Sequence, residues 1–300
     1  MTRAKTLVSS LAVFLVLALT ALSGAGLSAA EPTLDVGHRA RSVQPGEVVV
    51  LEVRSSEPAV TVHATAFGST VRLFPDPTAG VWRGMIGIDL EMAPADYSVA
   101  VRASLASGQT ARTAYVLSVE PKEFPTRHLS VNPSFVNPPA EVLDRIQREA
   151  ARQAEIFQTS STERQWEGGF LRPVPGDSTS SFGRRSVYNG EPRSPHSGTD
   201  FRAGDGTPIA SPNAGTVVLA GDLYFSGNVV IIDHGWGLYS YFAHLSSIGV
   251  EEGETVERGQ LVGNAGATGR VTGPHLHWTV RLNDARVDPL SLMTLFPSPH

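Results

Sequence analysis

Four histidines and one aspartate in the C-terminal half of the chain have the side-chain types and spacing for metal chemistry. They form three pieces: His196-Ser-Gly-Thr-Asp200, His244 at the end of the apolar stretch Tyr239–Leu245, and His275-Leu-His277. In a strand, residues two apart point to the same face, so His275 and His277 can enter one pocket together. Two imidazoles on one strand face are hard to explain as core, because a buried ring needs both nitrogens satisfied. Imidazole and carboxylate together suit zinc, and three protein ligands plus a water is the open, catalytic arrangement. The chain has no cysteine, which excludes a thiolate site, a disulfide or a catalytic thiol. One His-x-His would be a weak signal. Here four of the nine histidines fall in one ligand-like set, and chance is a poor account of that.

The elements that must position these residues read as short strands. After Gly168 the sequence is glycine-rich, with strands expected at Thr216–Ala220, Asn228–Asp233, Leu238–Ala243, Gln260–Gly263 and His275–Val280. Turns are expected at Asp205-Gly206, Gly221-Asp222, Gly235, Gly253 and Gly273-Pro274. Upstream, Val48–Val53, Val60–Ala66, Trp82–Ile88, Tyr97–Ala103 and Tyr115–Val119 alternate or run apolar between breakers such as Pro75, Pro77, Gly80 and Gly108. That spacing suggests a small sandwich with Trp82 and Tyr97 as core anchors. His38, His63 and His128 stand apart from other ligand-type residues and read as surface or structural histidines. Between the modules, the proline-rich residues 132–139 precede a helix capped by Asn137 with Pro138 at its first position. Leu143, Ile146, Ala150, Ala154 and Phe157 give it one apolar stripe, and its charged residues are expected to face solvent. The fold class is therefore mainly β: a sandwich-like module at 31–121, a linker and helix at 122–167, and an antiparallel β catalytic domain at 168–300.

Three hundred residues suggest about two domains. With 41% hydrophobic and 18% charged residues the chain is globular, and a net charge of −5 gives no electrostatic case for nucleic acid. Arg3 and Lys5, the apolar run Leu11–Leu22 and the small residues Ser28-Ala-Ala30 have the layout of a secretory signal peptide cleaved after Ala30. The run is short of the ~20 residues a bilayer span needs. The expected product is an exported protein, periplasmic or secreted, with no membrane span after cleavage.

These motifs jointly resemble the lysostaphin-type (LytM-like) zinc metallopeptidases. The carrying residues are His196-Ser-Gly-Thr-Asp200, Tyr241-Phe-Ala-His244-Leu245 and Gly273-Pro-His275-Leu-His277, supported by Ser181-Phe-Gly-Arg184, Ile231–Gly235 and Gly263–Gly269. The resemblance covers about residues 170–292. It implies His196, Asp200 and His277 as ligands of Zn2+, His244 and His275 as the catalytic histidines beside it, and the stem peptides of peptidoglycan as substrate. No HExxH motif is present, so a histidine must serve as base. An envelope regulatory partner is a further expectation.

Other sites fare worse. Gly263–Gly269 lacks the Gly-Lys-Ser/Thr of a phosphate loop, and no GxSxG marks a serine hydrolase. His234 and Asp233 read as turn residues. Arg184, Tyr188, Asn189 and Glu191 lie where they could shape a groove. The expected function is an exported zinc metalloendopeptidase cutting peptidoglycan cross-links. The alternatives are a catalytically inactive wall regulator that activates an amidase, or a protease acting on other exported proteins. Retention of all five site positions favours the enzyme over the regulator.

Overall fold

The computed structural model describes residues 31–76, 80–130, 138–179 and 182–298. The leader read in residues 1–30 lies outside them, as do Pro77, residues 131–137 with the capping Asn137, Ser181 and His300.

The upstream strands are Leu34–Ala40 (β1), Val48–Ser55 (β2), Ala59–Ala66 (β3), Ser69–Arg72 (β4), Phe74–Asp76 (β5), Val81–Gly87 (β6), Ala95–Leu105 (β7) and Thr110–Val119 (β8). They form two four-stranded antiparallel sheets, ordered β1-β2-β6-β5 and β4-β3-β7-β8. β3 and β7 alternate as a half-buried sheet should: Val62, Ala64, Val99, Val101 and Ala103 are buried and their neighbours exposed. These side chains meet Val49, Leu51, Val53 and Ile86 of the facing sheet. Trp82 and Tyr97 are half-buried and pack against the rim of this core.

β2 does not alternate. Val48, Val49, Val50 and Leu51 are all fully buried, because this sheet is covered on its second face as well. Val48 and Met85 belong to the core of the C-terminal β structure. At Gly87 a Cβ would lie 2.8 Å from the Cβ of Ala285 and 3.0 Å from the Leu282 carbonyl oxygen, so only glycine permits the approach. Around this contact Arg41 pairs with Glu47 and Asp288, and Arg286 pairs with Asp89 and Glu91. Burial alone would raise the Glu47 carboxyl, but hydrogen bonds from Arg41 and Lys122 outweigh it and hold it below the usual range. Pro32–His300 accordingly form one compact unit.

The connector contains Thr126–Leu129 (β9), a 3-10 turn at Ala140–Val142 and the helix Leu143–Gln158 (α1). The helix starts later than the sequence suggests. Pro139 is extended (φ −57°, ψ 148°), and a residue that precedes proline, as Pro138 does, is disfavoured from the helical region. The packed face also differs. Ala150 and Ala154 are exposed and Leu143 is 43% exposed, whereas Ile146, Glu149, Gln153, Ile156 and Phe157 are half-buried. Charged residues expected in solvent dock the helix instead. Arg145 donates to the Asp222 carboxylate (2.8 Å), Glu149 accepts from the Tyr224 amide (2.8 Å), and Arg152 reaches Glu252 (2.6 Å). Two exposed alanine methyls forgo less than these hydrogen bonds supply.

The C-terminal strands are Arg185–Tyr188 (β10), Glu191–Arg193 (β11), Thr199–Phe201 (β12), Pro208–Ala210 (β13), Gly215–Leu223 (β14), Gly227–Gly235 (β15), Leu238–Ile248 (β16), Thr255–Val256 (β17), Leu261–Ala265 (β18), Leu276–Leu282 (β19) and Ala285–Val287 (β20). The main sheet runs β12-β19-β16-β15-β14-β17, with β18 joining β16 to β13 and β20 beside β19. Its pairings are antiparallel; β9 and β10 form a parallel pair in a separate small sheet with β11. Gly221-Asp222, expected as a turn, lies inside β14, and the chain turns after Leu223 instead. One face of the main sheet holds Phe201, Phe242, Leu276, Trp278 and Val280. The other holds Leu219, Val229, Ile231, Tyr239 and Tyr241 beneath Ile156 and Phe157 of α1. Among the described residues, no helix is long and apolar enough to cross a membrane.

A short helix, Pro289–Leu295 (α2), closes the fold. Asp288 caps it by accepting from the Leu290 amide (3.0 Å), accepts from Thr199 Oγ1 (3.1 Å) and pairs with Arg41 (2.6 Å). One carboxylate thus ties the cap, the sandwich and the strand β12. Asp288→Ala is expected to cost about 2–3 kcal/mol, the loss of a cap plus buried partners left unpaired. A urea midpoint equal to wild type would contradict that role.

Candidate metal centre

Strand register brings the site together. β12 pairs with β19 so that Asp200 lies opposite His277, and β19 pairs with β16 so that His277 lies opposite Ala243. Leu276 and Trp278 point into the core, so His277 takes the other face. Alanine opposite His277 leaves that face open for rings. His275 precedes the strand proper, in a single bridge with Gly266. His196 sits just before β12, its amide donating to the Arg184 carbonyl (3.0 Å).

Three donor atoms converge. His277 Nδ1 lies 3.0 Å from Asp200 Oδ1 and 3.0 Å from His196 Nε2, and His196 Nε2 is 3.1 Å from Asp200 Oδ1. Among the described residues, these three side chains form a group able to hold a metal ion. Donors bound at 2.0–2.2 Å to one tetrahedral ion are about 3.4 Å apart, so the triangle fits with a spread of a few tenths of an ångström. His277 Nε2 meets Thr279 Oγ1 at 2.9 Å. Donation of the Nε2 proton to that hydroxyl leaves the Nδ1 lone pair facing the triangle and fixes the ring's orientation, as is usual for a ligating imidazole.

The two remaining histidines flank the triangle. The His275 ring is centred 5.1 Å from the His244 ring, and His275 Nε2 is 3.7 Å from Asp200 Oδ1. His244 lies 5.9 Å, ring to ring, from His277. Each has its Nδ1 on a backbone carbonyl: His244 on Thr268 (3.0 Å), His275 on Gly273 (2.9 Å). A carbonyl only accepts, so both Nδ1 atoms carry a proton, and in the neutral ring the lone pair then lies at Nε2. His244 has φ +66°, inside β16 rather than at its end. A non-glycine residue there is strained, and the break in alternation explains how two consecutive residues, Ala243 and His244, can serve one site.

Charge follows this geometry. Burial would raise the Asp200 carboxyl, yet the His196 and His277 rings beside it hold it far below the carboxylate range. Burial pushes His277 down although Asp200 lies beside it, and pushes His244 down to about 4. His244 is therefore a neutral acceptor at neutral pH.

The other groove residues separate. Asp233 closes its turn by accepting from the amides of Gly235 and Ser161. His234 is fully buried between the Ala214 carbonyl (2.7 Å) and Ser240 Oγ (2.9 Å) and is structural. Burial lowers its pKa from 6.5 to about 4. The native state then binds fewer protons than the unfolded chain below pH 6.5, so this stabilisation is present above 6.5 and is lost as pH falls toward 4. The loss expected from His234 is about 3 kcal/mol. Comparing the pH dependence of unfolding for wild type and His234→Gln checks it; parallel curves would contradict the assignment. Tyr188 lies in β10 and Glu191 in β11, where Glu191 pairs with Arg193 (2.5 Å), while Asn189 takes a left-handed turn conformation. Arg184 contributes its carbonyl to His196. Thr279 and Thr268 are the site residues that the sequence reading missed. Thr279 was within reach, two residues beyond His277 on the same strand face. Thr268 was not, because it acts through its carbonyl.

A β domain with a His-Asp-His triangle on one sheet face defines a metallopeptidase-type site. Residues 194–289 match peptidase family M23. A crystal structure of a putative M23 peptidase from Pseudomonas aeruginosa is 36% identical, with a TM-score of 0.66, covering 84% of this chain and 95% of that one. The chain belongs to peptidase family M23. Curated relatives include the peptidoglycan DD-endopeptidase ShyA of Vibrio cholerae, 44% identical over 101 residues (33% of this chain, 24% of that protein). The DD-carboxypeptidase/endopeptidase Mpg of Neisseria meningitidis is 40% identical over 97 residues (32% of this chain, 22% of that protein). The chain thus matches about a quarter of the length of these relatives.

Proposed function

We propose that the chain is an exported zinc metalloendopeptidase that hydrolyses peptide cross-links of bacterial peptidoglycan. The observation that carries this reading is the convergence of His196 Nε2, Asp200 Oδ1 and His277 Nδ1 beside two histidines, His244 and His275, each held through Nδ1 by a backbone carbonyl. Two nitrogens and one carboxylate oxygen are a donor set suited to zinc with an open position. Zinc held there would polarise the scissile carbonyl and lower the pKa of a water toward ~7. The chain's own groups do the rest. A neutral His244 or His275 would take the water's proton at Nε2, and the N–H formed there could donate to the developing oxyanion. The carbonyls of Thr268 and Gly273 keep the two rings in the tautomer this requires. The names of the curated relatives support peptidoglycan as substrate, and the resemblance to a secretory leader supports export. Retention of all five side chains in one cluster argues against a catalytically inactive regulator.

Digestion of purified peptidoglycan by the full mature chain, with mass analysis of the soluble products, tests the reading. Cross-linked dimers should fall and monomers rise, with glycan bonds intact. Unchanged dimers, or products released only by glycan cleavage, would overturn it.

A further inference from the structure

The outer face of the sheet β4-β3-β7-β8 carries a row of basic side chains that the proposed chemistry does not use. Register places Arg72 opposite His63, His63 opposite Arg102, and Arg102 opposite Arg112, so the row crosses all four strands. Cross-strand partners point to the same side. Their strand neighbours Val62, Ala64, Val101, Ala103 and Ala111 point into the sandwich core. His63, Arg102 and Arg112 are exposed and Arg72 is half-buried. At roughly 4.8 Å per strand the row is about 14 Å long.

Among the described residues, no carboxylate pairs with it. None of the three arginines takes part in an ion pair among the described residues. Glu57, Asp96 and Glu120 lie toward the ends of these strands, roughly 20 Å or more from the row at 3.4 Å per residue. Asp76, nearest Arg72 in sequence, is taken by Arg83. Like charges directly opposite one another destabilise a sheet, and this chain is acidic overall, with a net charge of −5. The flanking side chains are small or hydroxylic: Thr61, Thr65, Ala100, Ser104, Thr110 and Ala114, all exposed. The face is therefore cationic and rich in hydroxyls.

We propose that this face is a docking site for peptidoglycan itself, gripping the carboxylates of its stem peptides at a distance from the catalytic groove. The inference rests on the proposed peptidoglycan substrate. Guanidinium forks match carboxylates bidentately, and the threonine and serine hydroxyls suit the sugar hydroxyls between stems. Charge complementarity selects the occupant: a polymer bearing regularly spaced carboxylates meets a row of arginines that lacks carboxylates of its own.

The test is co-sedimentation of the full mature chain, stripped of metal by chelation, with insoluble peptidoglycan at several salt concentrations. Because cleavage is silent in this format, failure of docking and failure of the hydrolase reading are read separately; dimer consumption by metal-loaded protein reports the latter. Arg102→Ser/Arg112→Ser should bind at least ~10-fold more weakly, and wild-type binding should fall with salt. Unaltered protein should likewise lose affinity for peptidoglycan whose carboxylates have been amidated, an arm that does not depend on the variant folding. Equal binding to native and amidated peptidoglycan would overturn the proposal. So would undiminished binding by a folded double variant, or preferential binding to phosphatidylglycerol vesicles.

Discussion

His277→Ala is expected to lose both metal and activity while the fold survives. His277 supplies Nδ1 to the donor triangle and sits between Asp200 and Ala243 in the sheet, with Thr279 fixing its ring. Its removal leaves one imidazole and one carboxylate, too few to hold a zinc site. Loss of an outer-shell partner already costs ~10–100-fold in affinity, so loss of the ligand itself should exceed about 100-fold. The neighbours Leu276 and Trp278 still fill the core, so unfolding should change little. Metal analysis after dialysis gives the answer: wild-type occupancy in the variant would show the ligand assignment to be wrong.

His244→Ala and His275→Ala should separate binding from chemistry. Neither ring supplies an atom to the triangle, so both variants should keep most of the metal. Each removes an Nε2 that can accept or return a proton, and general acid–base groups contribute ~10²–10⁴-fold. His244→Ala also leaves the Thr268 carbonyl without its ring donor and keeps a Cβ-bearing residue at φ +66°, so the backbone strain stays. Its stability should therefore fall by about 1 kcal/mol. Normal turnover by both variants would remove histidine catalysis from the mechanism.

The site was legible because its spacing is local and chemically unusual. His275-Leu-His277 shows a strand face directly, and the structure adds that Asp200 is opposite His277 in register. The groups that orient the histidines were half legible: a side chain such as Thr279 obeys the period of two, but a carbonyl such as that of Thr268 can come from any residue. The continuous apolar run at Val48–Val53 signalled a strand without revealing why it was continuous. The reason is tertiary, since the sandwich sheet is covered by the C-terminal β structure. The helix was foreseen, but its start came later than expected and its packed face differed. Apolar spacing pointed to Ala150 and Ala154, whereas Arg145, Glu149 and Arg152 find partners on β14, the turn after it and Glu252. Hydrophobic period carries no information about such distant partners. The row of Arg72, His63, Arg102 and Arg112 was invisible for the same reason, because each residue sits alone in sequence and the sheet alone aligns them.

We propose that one zinc ion, held by His196, Asp200 and His277, is required for cross-link hydrolysis. Metal-stripped protein titrated with zinc, with consumption of cross-linked muropeptide dimers followed at each addition, tests it most directly. Activity should be absent in the stripped protein, rise linearly and stop rising at one equivalent of zinc per chain. Dimer cleavage by the stripped protein at the rate of the loaded one would contradict the account.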